Sequence, residues 1–569
     1  MDGVRLQAQR MYELQDYIDA QHGGPGQGWL RIVTDPFEAR RVMNEGRLAV
    51  VLGMEVSRPF DCRLLLGVPQ CSPEDIESDI AELYDLGVRQ MELVNKFDNA
   101  LTGVTGVTGV AGDPGETGVI VGTGNVIETG RFWQMEPCEE HDHDHGHGDD
   151  HGASHDRRQM NLHDDGGTPD EATGRDSLVG GILEVTDASG AAPLYPAGPH
   201  CNAQGLTDLG EHALRTMMEQ GMIFDPDHMS ARARHEAMTI IEDEGYSGVV
   251  SSHSWADEII YQRVLEAGGV VTPMAGGSTG FVETWEQHRQ WADDRYYFGF
   301  GFGSDVNGFA TQGAPRLPDA DPDDLPDDAV TYPFTGFGEV TISQQVSGER
   351  TFDINTDGVA HYGLYPDWVE DLRQLAGDEI IDDLERGPEA YLQMWERATG
   401  IAPDACREDV DDLATADLER LEQGMSPEEV LVDLGQPAER SGAVFTYCLD
   451  EGQATVHFDG DGRLEHLEVD DGPPHGGPGG PPDERSGNGP PEDHAGGQGP
   501  GSTVVASGHG DDHHHDHDHV RDESEADVSA AASAAGNVWG PPAVSVALLV
   551  AGMFGIGVQT LHRRRGLDG

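Results

Sequence analysis

The sequence predicts an α/β fold of the (β/α)8, TIM-barrel type with seven strands visible, and three observations carry that expectation. Apolar strand-like runs and amphipathic helical stretches alternate strictly from residue 5 to residue 305. The run Leu48–Met54 is continuously apolar, the mark of a parallel strand buried on both faces. Glu55, Asn95, His228, His253 and Asp305 each fall at or just past the C-terminal end of a different strand. A barrel gathers those ends into one ring, whereas an open sheet would scatter most of them.

The elements follow in order. Val4–Ala20 reads as a helix with no strand before it. Leu30–Val33 is a short strand, Pro36–Asn44 a helix and Leu48–Met54 the second strand. Ser72 caps the next helix with Pro73 at its first position; Ile76, Ile80, Leu83 and Leu86 share one face, and Gly87 ends it. A strand at Arg89–Asn95 leads into a glycine-rich excursion, Thr102–Gly130, and a histidine-rich insertion at about 139–170. Alternation then resumes with a helix at Asp208–Gln220, a strand at Met222–Asp225, a helix at Ala231–Glu244 and a strand at Gly248–Ser252. Ala256–Glu266 (helix), Val270–Met274 (strand), Thr284–Arg295 (helix) and Phe298–Gly303 (strand) complete the series. A barrel short of one stave exposes two sheet edges. Either a strand is unrecognised or the chain starts after its true first strand.

The barrel region is expected over 1–400, with a closing helix ending at Glu389–Arg397. Residues 408–470 read as a small α+β module. It opens on the capping box Ser426-Pro427-Glu428-Glu429 and continues with strands at Ala443–Leu449, Ala454–Phe458 and Leu464–Val469. Residues 471–537, rich in Gly, Pro, Asp and His, lack the apolar content to pack and read as a disordered linker. From Val538 to Leu561 no charged residue occurs, and Arg563, Arg564 and Arg565 follow at once. That pattern fits a transmembrane anchor at 538–561 and a basic cytoplasmic tail at 562–569, with the large domain extracellular or periplasmic. A buried helix is the other reading. The N-terminus, Met1-Asp2-Gly3-Val4-Arg5, carries no apolar signal-peptide core.

Composition narrows the partners. The 569 residues hold 34 basic and 105 acidic side chains, a net charge of -71. Such a surface repels nucleic acid, so no DNA or RNA partner is expected. It suits a protein working in concentrated salt, where screening removes self-repulsion, or one that is simply acidic and soluble. Lys96 is the sole lysine. Six cysteines without a C-x-x-C pair argue against a zinc ribbon and permit three disulfides outside the cytosol, Cys62–Cys71 being the first to test.

His228 and His253 lie one βα unit apart, each where a strand hands over to a loop, within Asp225-Pro226-Asp227-His228-Met229-Ser230 and Ser251-Ser252-His253-Ser254. Adjacent strand ends can put two imidazoles on one ion; a histidine hydrogen-bonded at a barrel rim is the plainer alternative. Glu55 ends its strand where a carboxylate can bridge two divalent ions. Asp305, after Gly301-Phe302-Gly303-Ser304, is placed to take the proton of a metal-bound water. The tracts His141–His155 and Gly508–His519 suit weak binding of zinc, nickel or copper, or are solvated low-complexity sequence.

Taken in order, several segments resemble the membrane dipeptidase family of zinc peptidases, peptidase M19, within the amidohydrolase superfamily. They are Gly46–Glu55, Leu83–Arg89, Gly205–Gly210, Gly221–Ser230, Ser252–Ser254, Gly303–Asp305 and Leu364–Trp368, and the resemblance covers about residues 30–400. It implies a two-zinc site with Glu55 as bridging carboxylate, His228 and His253 on the second metal and Asp305 as acid/base, cleaving a dipeptide or related small amide. The family's first-strand His-x-Asp pair is missing, so the chain as given is expected to hold one ion. Asn95 stands where the family has a substrate-contacting histidine, and Lys96 beside it is a candidate to meet transition-state charge, a solvated surface lysine being the alternative. A diverged, non-catalytic barrel that binds a ligand or metal is the rival to the enzyme. The module at 408–470 weakly resembles SmpA/OmlA-type envelope domains through Ser426–Val430 and Leu434–Pro437. Oligomeric state is not readable from these residues.

Overall fold

The computed structural model describes residues 1–105, 124–137, 200–253, 256–304, 313–318, 325–337, 340–407, 410, 413–450 and 452–470. These form a mixed α/β protein. Helix α1 (Asp2–Gln21) precedes β1 (Leu30–Ile32), α2 (Pro36–Asn44), β2 (Leu48–Val50) and β3 (Leu52–Met54). Then come α3 (Pro73–Asp85), β4 (Val88–Glu92), α4 (Asp208–Glu219), β5 (Ile223–Asp225), α5 (Ala231–Asp243) and β6 (Val250–Ser251). Next are α6 (Glu258–Glu266), β7 (Val270–Val271), α7 (Ser278–Trp291), α8 (Tyr365–Ala376) and α9 (Asp378–Ala398).

The parallel pairings run in sequence order. β1 pairs with β2, β3 with β4 and β4 with β5. A bridge at Phe224–Val249 carries the order to β6, which pairs with β7, and a bridge at Met274–Gly303 reaches the last stave. This is the order expected from the sequence, but the expected strand Leu48–Met54 is split at Val51 into two, and the expected strand Phe298–Gly303 forms only the single bridge at Gly303. The expected strand at Arg89–Asn95 is shorter and ends at Glu92. The helix expected at Thr284–Arg295 begins earlier, at Ser278, and ends at Trp291.

Among the described residues the staves do not close into a barrel: no pairing joins β1 to the last stave. Phe300, in the expected final strand, donates its backbone N–H to the carbonyl of Asp383 in α9 at 2.8 Å, so a helix takes the hydrogen bond that a neighbouring strand would have accepted. Alternation along the strands separates two faces. Ile32, Val50, Leu52, Met91 and Phe224 pack with apolar residues of α1, α3, α4, α5 and α6. Val33, Val51, Ile223, Val250 and Val270 pack instead against Tyr391, Trp395 and Ala398 of α9 and Val42 of α2. A closed barrel fills its interior with side chains from the strands themselves; here a helix covers that face.

Local sequence fixes the helix starts. Ser72 and Asp75 form a reciprocal capping box at α3 with Pro73 in the first turn. Gly87, with φ of 89°, turns the chain into β4. Ser230 caps α5 and Asp257 caps α6. Asp257 also accepts from Arg234 at 2.7 Å, both side chains being fully buried.

Residues 427–470 build α10 (Pro427–Leu434) and an antiparallel meander of β8 (Glu439–Ser441), β9 (Val444–Cys448), β10 (Gln453–Phe458) and β11 (Leu464–Asp470). Val430, Leu431, Tyr447 and Val456 centre its core. A buried ionic cluster ties it to the larger sheet. Glu396 of α9, fully buried, accepts from Arg40 of α2 at 2.6 Å and from Arg440 of β8 at 2.6 Å and 3.1 Å. Gln436 adds a third donor at 3.0 Å. Burial alone would raise the Glu396 carboxyl, but Arg440 and Arg40 outweigh it and hold it at about 2.

Cys62–Cys71 is a disulfide as expected, with Cα atoms 5.0 Å apart, and Cys406–Cys448 is a second. The histidine-rich insertion, the linker at 471–537, the anchor at 538–561 and the basic tail lie outside the described residues. Among the described residues no helix is long and apolar enough to cross a membrane.

The lowered carboxyl of Glu396 gives a pH dependence of defined sign. Its stabilisation is complete above the ordinary glutamate value of 4.5 and is lost as pH falls toward about 2. The shift corresponds to about 3 kcal/mol. Urea unfolding across that window should show the loss in the native chain and a flatter profile in Glu396→Gln, which should also be less stable at neutral pH by about 3 kcal/mol.

Candidate metal centre

The site is assembled from three adjacent strand ends and two loops. Glu55 directly follows β3, and Glu92 and Asp225 are the last residues of β4 and β5 and stand in register with each other. His228 lies three residues past β5 and His253 two residues past β6. Parallel pairing of β3, β4 and β5 therefore puts their C-terminal carboxylates on one rim.

Glu55, Glu92, His228 and His253 each offer one ligand atom, and these atoms all lie within 4.8 Å of one another. The two imidazole Nε2 atoms are 2.9 Å apart. Glu55 Oε1 is 3.2 Å from Nε2 of His228. On a shared zinc with Zn–N near 2.0 Å in tetrahedral geometry, two nitrogens sit about 3.3 Å apart, so this spacing needs little adjustment. Glu92 is buried, and its Oε2 has no hydrogen-bond partner. A buried carboxylate oxygen without a donor is costly unless a cation meets it.

The surrounding groups hold the donors in place. Asp227, fully buried, accepts from the backbone N–H of His253 at 2.9 Å and from the Ser251 hydroxyl at 2.7 Å. Its Oδ2 is also 3.3 Å from His253 Nδ1, while the Ser252 hydroxyl is 2.8 Å from the same nitrogen. With Nδ1 so engaged, Nε2 is the nitrogen turned to the site, the arrangement by which a carboxylate behind an imidazole orients it toward a metal. His228 has φ of 64°, uncommon for a residue with a Cβ. Its carbonyl accepts from Thr105 N at 2.7 Å, and the next carbonyl, that of Met229, accepts from Arg234 at 3.1 Å. These bonds pin the turn that aims its ring.

Electrostatics follow from crowding acids in a dry place. Burial first, then Glu55, Asp225 and Asp227, push the Glu92 carboxyl well above its usual range. Burial and Asp227 do the same to Asp225. Burial, Lys96 and His253 push His228 well below the ordinary histidine value, which keeps it a neutral ligand.

Of the residues singled out from the sequence, Glu55, His228 and His253 are brought together. Asn95 is buried, and its side-chain amide donates to Glu55 Oε1. Lys96 is half-buried, donates its backbone N–H to the Ser57 hydroxyl at 3.0 Å, and bears electrostatically on Glu92 and His228. Asp305 lies outside the described residues. Gly303, two residues before it, lies against the His253 loop: a Cβ there would overlap the carbonyl of Ser252 and come within 3.0 Å of His253 Cβ. The glycine serves the close approach of one backbone to another. Glu92 is the donor that sequence reading missed. Its signal is a lone acid in the run Val88-Arg89-Gln90-Met91-Glu92-Leu93-Val94, two residues from Gln90 and so on the same face.

No family model matches the chain, and no curated protein matches it. Among solved structures, a crystal structure of an amidohydrolase from Pseudomonas aeruginosa is 10% identical with a TM-score of 0.31, over 65% of this chain and 79% of that one. A likeness of that degree carries no argument about fold or activity.

Asp227→Asn keeps the shape of the pocket but weakens the carboxylate that orients His253. Zinc affinity, read by competition with a chromophoric chelator, should fall about 10- to 100-fold. Unchanged affinity would show that Asp227 plays no part in a metal site.

Proposed function

We propose that the chain is a zinc-dependent hydrolase of the amidohydrolase superfamily, related to membrane dipeptidases. It would cleave a dipeptide or another small amide, and its incompletely closed sheet would be a variant of the (β/α)8 barrel. One observation carries the reading: two imidazoles and two carboxylates converge from successive strand ends, and one buried carboxylate oxygen has no protein partner. Mixed nitrogen and oxygen donors suit zinc better than calcium or magnesium, which take oxygen alone.

Glu55, Glu92, His228 and His253 would hold the ion, which when bound lowers the pKa of a water and polarises an amide carbonyl. Asp227 and Ser252 fix the His253 ring, and Asn95 fixes the Glu55 carboxylate. Asp305 accepts a proton as water adds its oxygen to the carbonyl carbon. It returns that proton to the amine nitrogen as the C–N bond breaks. Lys96, whose charge already bears on Glu92 and His228, meets negative charge developing on the carbonyl oxygen. The expected membrane anchor would display this domain outside the cell.

Asn95 also favours a second reading, a metal-binding protein without turnover. Its amide is committed to Glu55 where the related family contacts substrate through a histidine. Hydrolysis of a dipeptide panel by the zinc-loaded chain decides between them. The enzyme reading expects turnover that falls by at least about 1000-fold in His253→Ala and in Asp305→Asn. It also expects a loss in Lys96→Met that Lys96→Arg only partly restores. Zinc bound with no hydrolysis of any amide would leave the second reading standing and end the first.

A further inference from the structure

We propose that His457, His466 and Glu468 form a second, solvent-open site for a divalent transition-metal cation, on the outer face of the small module's sheet. His457 in β10 and His466 in β11 are direct cross-strand partners. Val456 and Phe458, on either side of His457, and Leu467, beside His466, pack in the module's core, so by alternation the two imidazoles share the opposite face. Glu468 is two residues beyond His466 and lies on that face as well.

The three side chains converge. The imidazole rings stack with centroids 4.2 Å apart and planes inclined by 6°. The Glu468 carboxylate is 3.5 Å from His466 Nε2 and 3.9 Å from His457 Nε2. One ligand atom from each residue lies within 4.8 Å of the other two. His457 Nε2 is screened from solvent and makes no hydrogen bond, although His466 and Glu468 are exposed. The ladder shifts register between His457 and Phe458, the kind of irregularity that re-aims a side chain.

A cross-strand aromatic pair beside a charged edge can stabilise a sheet without any ligand. That role would leave each Nε2 turned to water. Here both turn to the same carboxylate, and one of them is sheltered from solvent and makes no hydrogen bond. Two imidazoles and one carboxylate are a donor set for zinc, copper or nickel, and a poor one for calcium or magnesium. Three protein ligands leave coordination positions to solvent, so the ion would be held at the surface and exchange readily. None of these residues belongs to the centre built on Glu55 and His253.

Site-resolved histidine modification of the intact chain tests this without any substitution. Diethylpyrocarbonate labelling of His466, read by mass spectrometry, should slow about tenfold or more on adding zinc, and should not slow with magnesium. The full chain carrying His457→Gln and His466→Gln should bind about one zinc less in equilibrium dialysis, with amide hydrolysis unchanged. His466 labelling indifferent to zinc, or equal zinc binding by the native and substituted chains, would overturn the proposal.

Discussion

Four carboxylates, Glu55, Glu92, Asp225 and Asp227, stand with two imidazoles at the ends of neighbouring parallel strands, and most of them are removed from water. Acids at such spacing repel one another strongly where the dielectric is low. Lys96 contributes one positive charge nearby, a weaker influence on Glu92 than burial and the three acids that oppose it. The fold spends its most precise local structure on this cluster. Strand β4 stops at Glu92, the chain takes a left-handed conformation at His228, and Asp227 is fixed from two sides so that it can hold His253. A cation at the meeting point turns this repulsion into attraction, and the rest of the site reads as support for that exchange.

Much of this was legible in the sequence, for a physical reason. A polar residue straight after an apolar run marks a strand end, and in parallel sheets strand ends lie together. Glu55, His228 and His253 could therefore be grouped before any coordinates. Glu92 was hidden because apolar residues continue past it to Val94, so the strand looked longer than it is. Asn95, taken as the strand's end, instead braces Glu55. The caps at Ser72 and Ser426 were readable because capping is a local property.

What the sequence could not show was where long-range partners lie. Amphipathicity says that α9 buries a face, but not that this face covers the side of the sheet a closed barrel would enclose. Nor does it reveal that Phe300 gives its backbone hydrogen bond to α9. Glu396 likewise reads as one acid among 105. Only in three dimensions do Arg40, some 350 residues earlier in the chain, and Arg440 in the small module close on it. The module is thus joined to the larger sheet by a buried ionic cluster, which in a chain this acidic uses arginines that are scarce.

On the proposed reading, a bound cation stabilises the buried acids at the strand ends. Thermal unfolding of the native chain and of Glu92→Gln, each in chelator and each with saturating zinc, tests it most directly. Without metal, removing one of several crowded charges should leave Glu92→Gln as stable as the native chain or more so. With zinc, the native chain should gain stability that the substituted chain largely lacks, so the order of the two reverses. The same order in both conditions, with zinc shifting the two proteins equally, would contradict the account.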